Sequence, residues 1–248
     1  MNKVLLVTGG SAGIGAATVR MAAKRGWAVA FSYRSSAPMA EALEAEITAS
    51  GGIAKGFKAD AASEADTLDL FAWIDSEFGR LDGVVTNAGI TGPTTTLENM
   101  TQEIIDEVLA INVRGVFLTV REAVKRMATD RGGQGGCIVN LSSIAATLGG
   151  PGEWVHYAAS KGAIDSFTIG ASKELAPRGI RVNAVRPGLI DTEIHAKAGK
   201  GDRLAILGPT VPMGRIGTAD EVAEVICWLL SDSASYVTTA NVVVSGGR

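Results

Sequence analysis

Short apolar runs alternate with helical patterns along the whole of this 248-residue chain. Buried strands of about four to seven residues that alternate with helices are typical of a parallel sheet covered on both faces. The runs predict strands at Val4–Thr8, Trp27–Tyr33, Ile53–Ala59, Leu81–Thr86, Cys137–Leu141, Arg181–Arg186 and Asn241–Val244. The sequence therefore predicts an α/β fold in which a seven-stranded parallel sheet lies between two layers of helices.

Helical patterns fill the segments between those strands. They predict helices at about Gly13–Arg25, Pro38–Ser50, Glu64–Phe78, Val155–Ala176 and Asp220–Leu230. A longer helical region, capped by Thr101, is predicted to run with a break to Met127. No linker, repeat or low-complexity segment divides the chain, which predicts one domain over residues 1–248. Residues 188–217 are rich in Gly and Pro, as is typical of a lid over a binding site.

The composition favours a soluble domain with a large core, because 46% of the residues are apolar and 20% are charged. No apolar run approaches the roughly 20 residues that span a bilayer, and no signal pattern precedes the first strand. We therefore expect a cytoplasmic protein without a membrane partner. The net charge of −3 offers no basic surface for nucleic acid. Cys137 and Cys227 lie in apolar stretches and should be buried, and a metal site is not expected.

A glycine-rich stretch, Thr8–Gly15, lies between the first predicted strand and the first predicted helix. An open α/β sheet binds a dinucleotide at this point. Glycines allow the backbone to approach the pyrophosphate closely, and the start of the helix offers free N–H groups and positive partial charge. The alternative is an ordinary tight turn. The position of the stretch favours phosphate binding.

The end of the second strand bears on which dinucleotide is bound. An acidic residue there would hold the ribose hydroxyls of NAD. This chain has Ser32-Tyr33-Arg34-Ser35-Ser36 instead, without a carboxylate. Because the planar guanidinium of Arg34 can bind a phosphate, assisted by serines such as Ser35, the sequence favours NADP(H) over NAD(H). The alternative is that Arg34 is a solvated surface residue.

Tyr157 and Lys161 are four residues apart on a predicted helix and so share one face. A free phenol has a pKa near ~10, and an ammonium beside it favours the phenolate and lowers that pKa. The pair therefore predicts a group that moves a proton to or from a carbonyl or hydroxyl oxygen. The same spacing also occurs on many helices where Tyr packs and Lys is solvated.

The whole chain resembles the short-chain dehydrogenase/reductase family. The resemblance rests on Thr8–Gly15, Asn87-Ala88-Gly89, Asn112, Leu141-Ser142-Ser143, Tyr157 with Lys161, and Arg186-Pro187-Gly188. It implies a Rossmann fold and hydride transfer between nicotinamide and a ketone or secondary alcohol. Within the family the chain is most similar to bacterial 3-oxoacyl-carrier-protein reductases and to glucose or sugar dehydrogenases.

The resemblance also implies roles for individual residues. The implied catalytic set has Tyr157 as acid-base group, Lys161 lowering its pKa, Ser143 bonding the substrate oxygen and Asn112 holding a water. The implied cofactor contacts are Gly9, Ser11, Gly13, Ile14 and Gly15 at the pyrophosphate, Asp60 at the adenine, Asn87, Ala88 and Gly89 at the adenosine ribose, Lys161 and Tyr157 at the nicotinamide ribose, and Pro187, Gly188, Ile190 and Thr192 at the nicotinamide.

Several alternatives stay open at this point. Ser142 competes with Ser143, Asn112 could merely bond neighbouring backbone, and Asp60 could merely end a strand. A nicotinamide-nucleotide sensor or scaffold could use the same fold, because fold does not fix function. Epimerisation or dehydration is a further possibility within the family.

The substrate is left open among 3-oxoacyl thioesters, sugars and small ketones. Trp154 could stack on a substrate ring or pack a loop, and the charged residues Lys197, Lys200 and Arg203 of the lid, with Ile194 and His195, do not single out one class. Departures from the family pattern lie at Ala12, Thr86, Thr239 and Ser245, of which the last two are expected to affect a subunit face and not the chemistry. Relatives of this size imply a homotetramer.

Overall fold

The computed structural model describes residues 2–192 and 203–248. Its strands β1 to β7 are Val4–Val7, Ala28–Tyr33, Ile53–Lys58, Gly83–Thr86, Gly136–Leu141, Ile180–Pro187 and Asn241–Val244. They form one parallel sheet in the order β3-β2-β1-β4-β5-β6-β7. The predicted fold class is therefore confirmed. The strand order reverses between β1 and β4: β2 and β3 lie beyond β1 on one side, and β5, β6 and β7 lie beyond β4 on the other. A crevice therefore lies at the carboxyl ends of β1 and β4.

Helices cover both faces of this sheet. Helices α1 to α9 are Gly13–Lys24, Ala37–Ala49, Glu64–Phe78, Gln102–Leu109, Gly115–Met127, Ala145–Leu148, Val155–Leu175, Arg203–Leu207 and Ala219–Leu230. The residues of β1 alternate between the two resulting cores, Leu5 on one side and Leu6 on the other. Helices α1, α2 and α9 pack over the first core, and α3, α5 and α7 over the second. Burial on both faces explains why the strands are continuous apolar runs.

Most predicted boundaries differ from the observed ones by one or two residues. Strand β4 begins at Gly83 and not at Leu81; just before it, the Asp82 carboxylate accepts a hydrogen bond from the Val4 amide (2.8 Å). Helix α9 begins at Ala219, one residue earlier than predicted. Its first turn is closed by a capping box, in which Thr218 Oγ1 accepts from the Glu221 amide (3.2 Å) and the Glu221 carboxylate accepts from the Thr218 amide (2.9 Å).

The break predicted in the long helical region is a π-helical segment at Ala110–Arg114, between α4 and α5. The Thr101 hydroxyl caps α4 as predicted, accepting from the Ile104 amide at 3.5 Å. Single π turns inside helices are frequent at functional sites. Here the turn contains Asn112, one of the predicted catalytic residues.

Two further expectations concern burial and membranes. Cys137 and Cys227 are free and buried, as predicted, and burial raises the pKa of each thiol to about 11. Among residues 2–192 and 203–248, no helix has the length and apolar character needed to cross a membrane.

Candidate functional site

The glycine-rich turn between β1 and α1 forms one wall of the crevice. Gly9 and Gly13 have positive φ angles of 63° and 51°, a conformation that favours glycine. A Cβ on Gly9 would lie 3.0 Å from the Ala88 Cα, so the turn runs close beside the chain that follows β4. A Cβ on Gly15 would lie 2.3 Å from the Gly9 carbonyl oxygen, which makes Gly15 a packing residue beneath the turn.

Asn87 fastens this turn to the end of β4. Its side-chain amide donates to the carbonyl oxygens of Thr8 (3.0 Å) and Gly9 (2.9 Å), and the Ala88 amide donates to Thr8 Oγ1 (3.1 Å). Thr86, a departure from the family pattern, donates from its hydroxyl to the buried Asn140 side chain at 2.8 Å. The departure at Thr86 therefore changes local bonding inside the sheet and leaves the turn intact.

The start of α1 has the features of an anion site. Ala12 at the N-cap provides no side-chain hydrogen bond, and the first turn contains no acidic residue. The first amide groups of a helix lack partners within it, and the helix dipole places positive partial charge there. The helix start therefore offers N–H groups to the space beside the glycine turn.

A cavity of about 680 Å³ extends along the carboxyl ends of the strands. Of the predicted site residues, it is lined by Gly9, Ser11, Gly13, Ile14, Arg34, Ser35, Asp60, Asn87, Ala88, Gly89, Ser143, Tyr157, Lys161, Pro187, Gly188, Ile190 and Thr192. Gly15 and Asn112 do not line it. Both lie behind its wall; the pyrophosphate contact of Gly15 and the water-holding role of Asn112 stay predictions.

Arg34 and Ser35 lie at the end of the cavity formed by β2. Both side chains are exposed, and Arg34 makes no ion pair with the described part of the chain. Ser32, two residues before Arg34 on β2, is buried, and its Oγ accepts from the Gly9 amide at 3.2 Å. Asp60 follows β3, and its carboxylate accepts from the Ala62 amide at 2.9 Å. The guanidinium of Arg34 is thus available to a ligand.

Ser143, Tyr157 and Lys161 meet at the other end of the cavity. Ser142 donates from its hydroxyl to the Lys161 carbonyl oxygen at 3.2 Å, whereas the Ser143 hydroxyl bonds with Tyr157 and lowers the pKa of that phenol. The second serine therefore faces the phenol and the first supports the helix backbone. This arrangement favours Ser143 over Ser142 as the residue that faces a substrate.

The Tyr157 phenol does not have the depressed pKa that its spacing from Lys161 predicts. Burial raises the pKa above its ordinary value and outweighs the Ser143 hydrogen bond. The Lys161 ammonium donates to the Leu141 carbonyl oxygen (2.7 Å) and lies 5.7 Å from the centre of the Tyr157 ring. Lys161 is itself only 5% exposed, and burial lowers its pKa to about 8.

Asn112 is fully buried within the π turn. Its amide donates to the Ile90 carbonyl oxygen (2.8 Å) and to Ser160 Oγ (3.0 Å), and its carbonyl oxygen accepts from the Ile90 amide (2.9 Å). These bonds tie the chain after β4 to helix α7. The structure thus shows Asn112 bonding backbone groups, which is the alternative role that the sequence left open for it. Its role in holding a water stays a prediction.

Both ends of the predicted lid are held near the cavity. The Asp191 amide donates to the Gly217 carbonyl oxygen and the Gly217 amide to that of Leu189, each at 2.9 Å. Ser245 packs against Gly188, because a Cβ on Gly188 would lie 2.7 Å from the Ser245 Cα. Ser245 is therefore closer to the site than the sequence predicted. Ile194, His195, Lys197 and Lys200 fall outside the described residues; Arg203 begins α8.

Several lining residues were not predicted from the sequence. They are Ser32, Tyr33, Thr91, Ile144, Leu148, Glu153, Leu207 and Arg248. Trp154, which the sequence left between ring stacking and loop packing, is 5% exposed and also lines the cavity. Leu148, Leu207 and Arg248 come from three distant segments, so no local pattern could have joined them.

Comparisons with known proteins agree with this arrangement. A family model described as enoyl-(acyl carrier protein) reductase matches residues 9–248. The uncharacterized oxidoreductase YgfF of Escherichia coli K12 is 50% identical over 245 residues, 99% of each chain. A short-chain dehydrogenase of Burkholderia cenocepacia in complex with NADP is 34% identical, with a TM-score of 0.90 over 99% of this chain and 97% of that one. A 3-ketoacyl-(acyl-carrier-protein) reductase of Brucella melitensis complexed with NADH is 33% identical, with a TM-score of 0.91 over 99% and 98%.

The sheet order and the glycine turn at its switch point define a dinucleotide-binding fold of the Rossmann type. The chain belongs to the short-chain dehydrogenase/reductase family, as its resemblance predicted. It is accordingly an NAD(P)-dependent oxidoreductase that acts on carbonyl or alcohol groups.

Proposed function

We propose that this protein is an NADP(H)-dependent reductase that transfers a hydride reversibly between nicotinamide and a ketone or secondary alcohol. One observation carries the proposal: the Ser143–Tyr157–Lys161 cluster opens into the same cavity as the glycine turn and Arg34. A dinucleotide that spans the cavity would present its reactive ring to the phenol.

The described residues fit such a dinucleotide. The turn at Gly9 and Gly13 has the positive φ angles of a tight glycine turn, and the start of α1 offers unpaired N–H groups to a pyrophosphate. Asp60, which lines the cavity after β3, would meet the adenine, and Ala88 and Gly89 would lie along the adenosine ribose. At the other end of the cavity, the nicotinamide would contact four further lining residues, Pro187, Gly188, Ile190 and Thr192.

The preference for NADP(H) rests on Arg34. No carboxylate stands at the end of β2 to hold free ribose hydroxyls, and the exposed guanidinium of Arg34 suits a 2′-phosphate. The two related structures named above contain NADP in one case and NADH in the other. Because these two relatives differ in cofactor, the preference for NADP(H) rests on Arg34 and on the missing carboxylate at the end of β2.

The cofactor supplies the hydride, and the residues of the chain manage one proton and one developing charge. The raised pKa keeps Tyr157 protonated at neutral pH, so the phenol enters a reduction as the acid. Ser143 and Tyr157 would donate hydrogen bonds to the substrate oxygen as it gains negative charge. Lys161 would bind the nicotinamide ribose and place positive charge beside the phenol. Asn112, through its bonds to Ile90 and Ser160, holds the segment after β4 against helix α7, which carries Tyr157 and Lys161.

Several apolar side chains line the cavity and could contact a substrate. The cavity wall includes Ile144, Leu148, Trp154 and Leu207. Such a wall suits the carbon chain of a 3-oxoacyl thioester or a small ketone, while the flat Trp154 side chain also suits a sugar face. The substrate classes in the proposal therefore remain 3-oxoacyl thioesters, small ketones and sugars.

The test follows the absorbance of NADPH and NADH with purified protein and a panel of ketones, diketones, sugars and 3-oxoacyl thioesters. Tyr157→Phe should reduce turnover by about 100- to 1,000-fold, because it removes one donor to the developing oxyanion. NADPH binding should stay nearly unchanged. Tyr236→Phe, at a fully exposed phenol, serves as the control. Wild-type turnover in Tyr157→Phe would remove the phenol from the mechanism, and NADPH binding without turnover on any substrate would favour a sensor.

A further inference from the structure

Helix α7 places a third titratable group in line with the proposed catalytic pair. Tyr157, Lys161 and Asp165 follow one another at intervals of four residues and share one face of the helix. Asp165 is 8% exposed, so its carboxylate is removed from bulk water. A buried carboxylate is costly unless it is paired. Neither the sequence motifs nor the mechanism above gives this residue a role.

Arg186 of β6 is the ion-pair partner of Asp165. Its Nε and Nη2 both donate to Asp165 Oδ2, at 3.1 and 2.8 Å. Asp165 Oδ1 is buried and accepts no hydrogen bond from the described residues. Arg186 directly precedes Pro187 and Gly188, which line the cavity. The ion pair therefore joins helix α7, which carries Tyr157, to strand β6, which leads to Pro187 and Gly188 at the cavity.

The surroundings of Lys161 explain why a nearby carboxylate matters. Its ammonium bonds a neutral carbonyl oxygen, that of Leu141 on β5, and a Cβ on Gly89 would lie 3.5 Å from Nζ and 3.2 Å from the neutral Asn112 Oδ1. Burial works against the ammonium form and lowers the Lys161 pKa, and the Asp165 carboxylate is the charge that opposes this effect. Tyr157, from the same helix, is uncharged at neutral pH.

We propose that Asp165, held by Arg186, is a positioning residue that acts as the counter-charge of the Lys161 ammonium and anchors helix α7 to β6. The inference rests on the proposed role of Lys161 in hydride transfer. Asp165 acts through Lys161 and does not touch the reacting atoms. Arg186 neutralises part of the Asp165 charge. How strongly Asp165 stabilises the Lys161 ammonium therefore depends on both Asp165 and Arg186.

The sign of the expected pH effect follows from the charges. The Lys161 ammonium is lost as the pH rises through its pKa of about 8. Asp165→Asn removes the favourable charge and leaves the positive charge of Arg186 uncompensated. Both changes disfavour the ammonium, so the alkaline limb of the kcat/KM profile should move to lower pH by about one unit. The double variant Asp165→Asn/Arg186→Met removes the added repulsion and should move the limb part of the way back.

A second buried pair provides a matched control. Asp82 is 7% exposed and accepts two hydrogen bonds from Arg80, at 2.8 and 2.5 Å, but it lies just before β4, at the amino ends of the strands and away from the cavity. Asp82→Asn should lower the melting temperature without moving the pH profile. An unchanged alkaline limb in folded Asp165→Asn, or an equal shift in Asp82→Asn, would overturn the proposal.

A measurement that needs no turnover separates this proposal from the proposed function. Trace acetic anhydride labels unprotonated amines, and peptide mass spectrometry reports the labelling of Lys161 against pH in each variant. The labelling midpoint should fall in Asp165→Asn and stay constant in Asp82→Asn. A midpoint that does not fall would refute the counter-charge role. Absence of turnover in the wild type, with a shifted midpoint in Asp165→Asn, would instead refute only the reductase proposal.

Discussion

Replacement of Arg34 by Asp should turn this enzyme away from NADPH. Arg34 is exposed, so the hydrogen bonds of its guanidinium to a 2′-phosphate belong at the lower end of the range for charged groups, about 1.5 kcal/mol. A carboxylate about 4 Å from that phosphate adds a repulsion of about 1 kcal/mol in water. Together these effects should lower kcat/KM for NADPH by about 60-fold. NADH has no such phosphate and should change by less than about threefold.

The assay measures kcat/KM for both cofactors with one saturating carbonyl substrate, at low and high salt. High salt should weaken the repulsive part of the loss, because the site is open to solvent. Arg131→Asp is the matched control, since Arg131 is also exposed and lies away from the cavity. Equal losses with NADPH and NADH would show that Arg34 holds no 2′-phosphate, and an equal effect of Arg131→Asp would point to net charge alone.

Two further predictions concern stability and assembly. Thr239, whose φ angle is 67°, occupies a left-handed conformation that is unfavourable for a β-branched residue, and its hydroxyl bonds Ser172 Oγ at 2.7 Å. Thr239→Gly and Thr239→Val both lose this bond, but the glycine variant should be more stable by about 1–2 kcal/mol in urea unfolding; equal stabilities would exclude backbone strain there. The exposed apolar side chains Ile105, Leu109 and Phe117 on α4 and α5 suit the proposed homotetramer. Light scattering should show a tetramer that Phe117→Glu reduces to smaller species, whereas a wild-type monomer at micromolar concentration would refute the assembly.

The sequence located the elements and the chemical groups of the site well. The glycine turn, Ser143, Tyr157 and Lys161 all lie along one cavity. The glycine turn and Ser143 follow β1 and β5, whose carboxyl ends reach the same end of the sheet, and helix α7 carries Tyr157 and Lys161. The sequence could not show that Gly15 and Asn112 lie behind the cavity wall. Their positions depend on which backbone segments pack against them, and those segments are far away in the chain.

The most instructive error concerns the pKa of Tyr157. Helical spacing correctly placed Lys161 on the same face as the phenol, and an ammonium nearby should have lowered the phenol pKa. The pKa is raised instead, because the surrounding segments bury the phenol; the Lys161 ammonium meanwhile bonds the Leu141 carbonyl oxygen of β5. Spacing along a helix says which side chains are neighbours; it does not say how much water reaches them or which other acceptors compete.

The sequence by itself determined the alternation of strands and helices, the glycine turn and the residue types available for hydride-transfer chemistry, since these depend on local periodicity and on conformational limits of single residues. Tertiary structure alone decided which distant residues share the cavity, as Leu148, Leu207 and Arg248 do. It also decided that Asp165 on α7 meets Arg186 on β6. Burial and electrostatic interaction are properties of the space between segments, so they are set only when the segments meet.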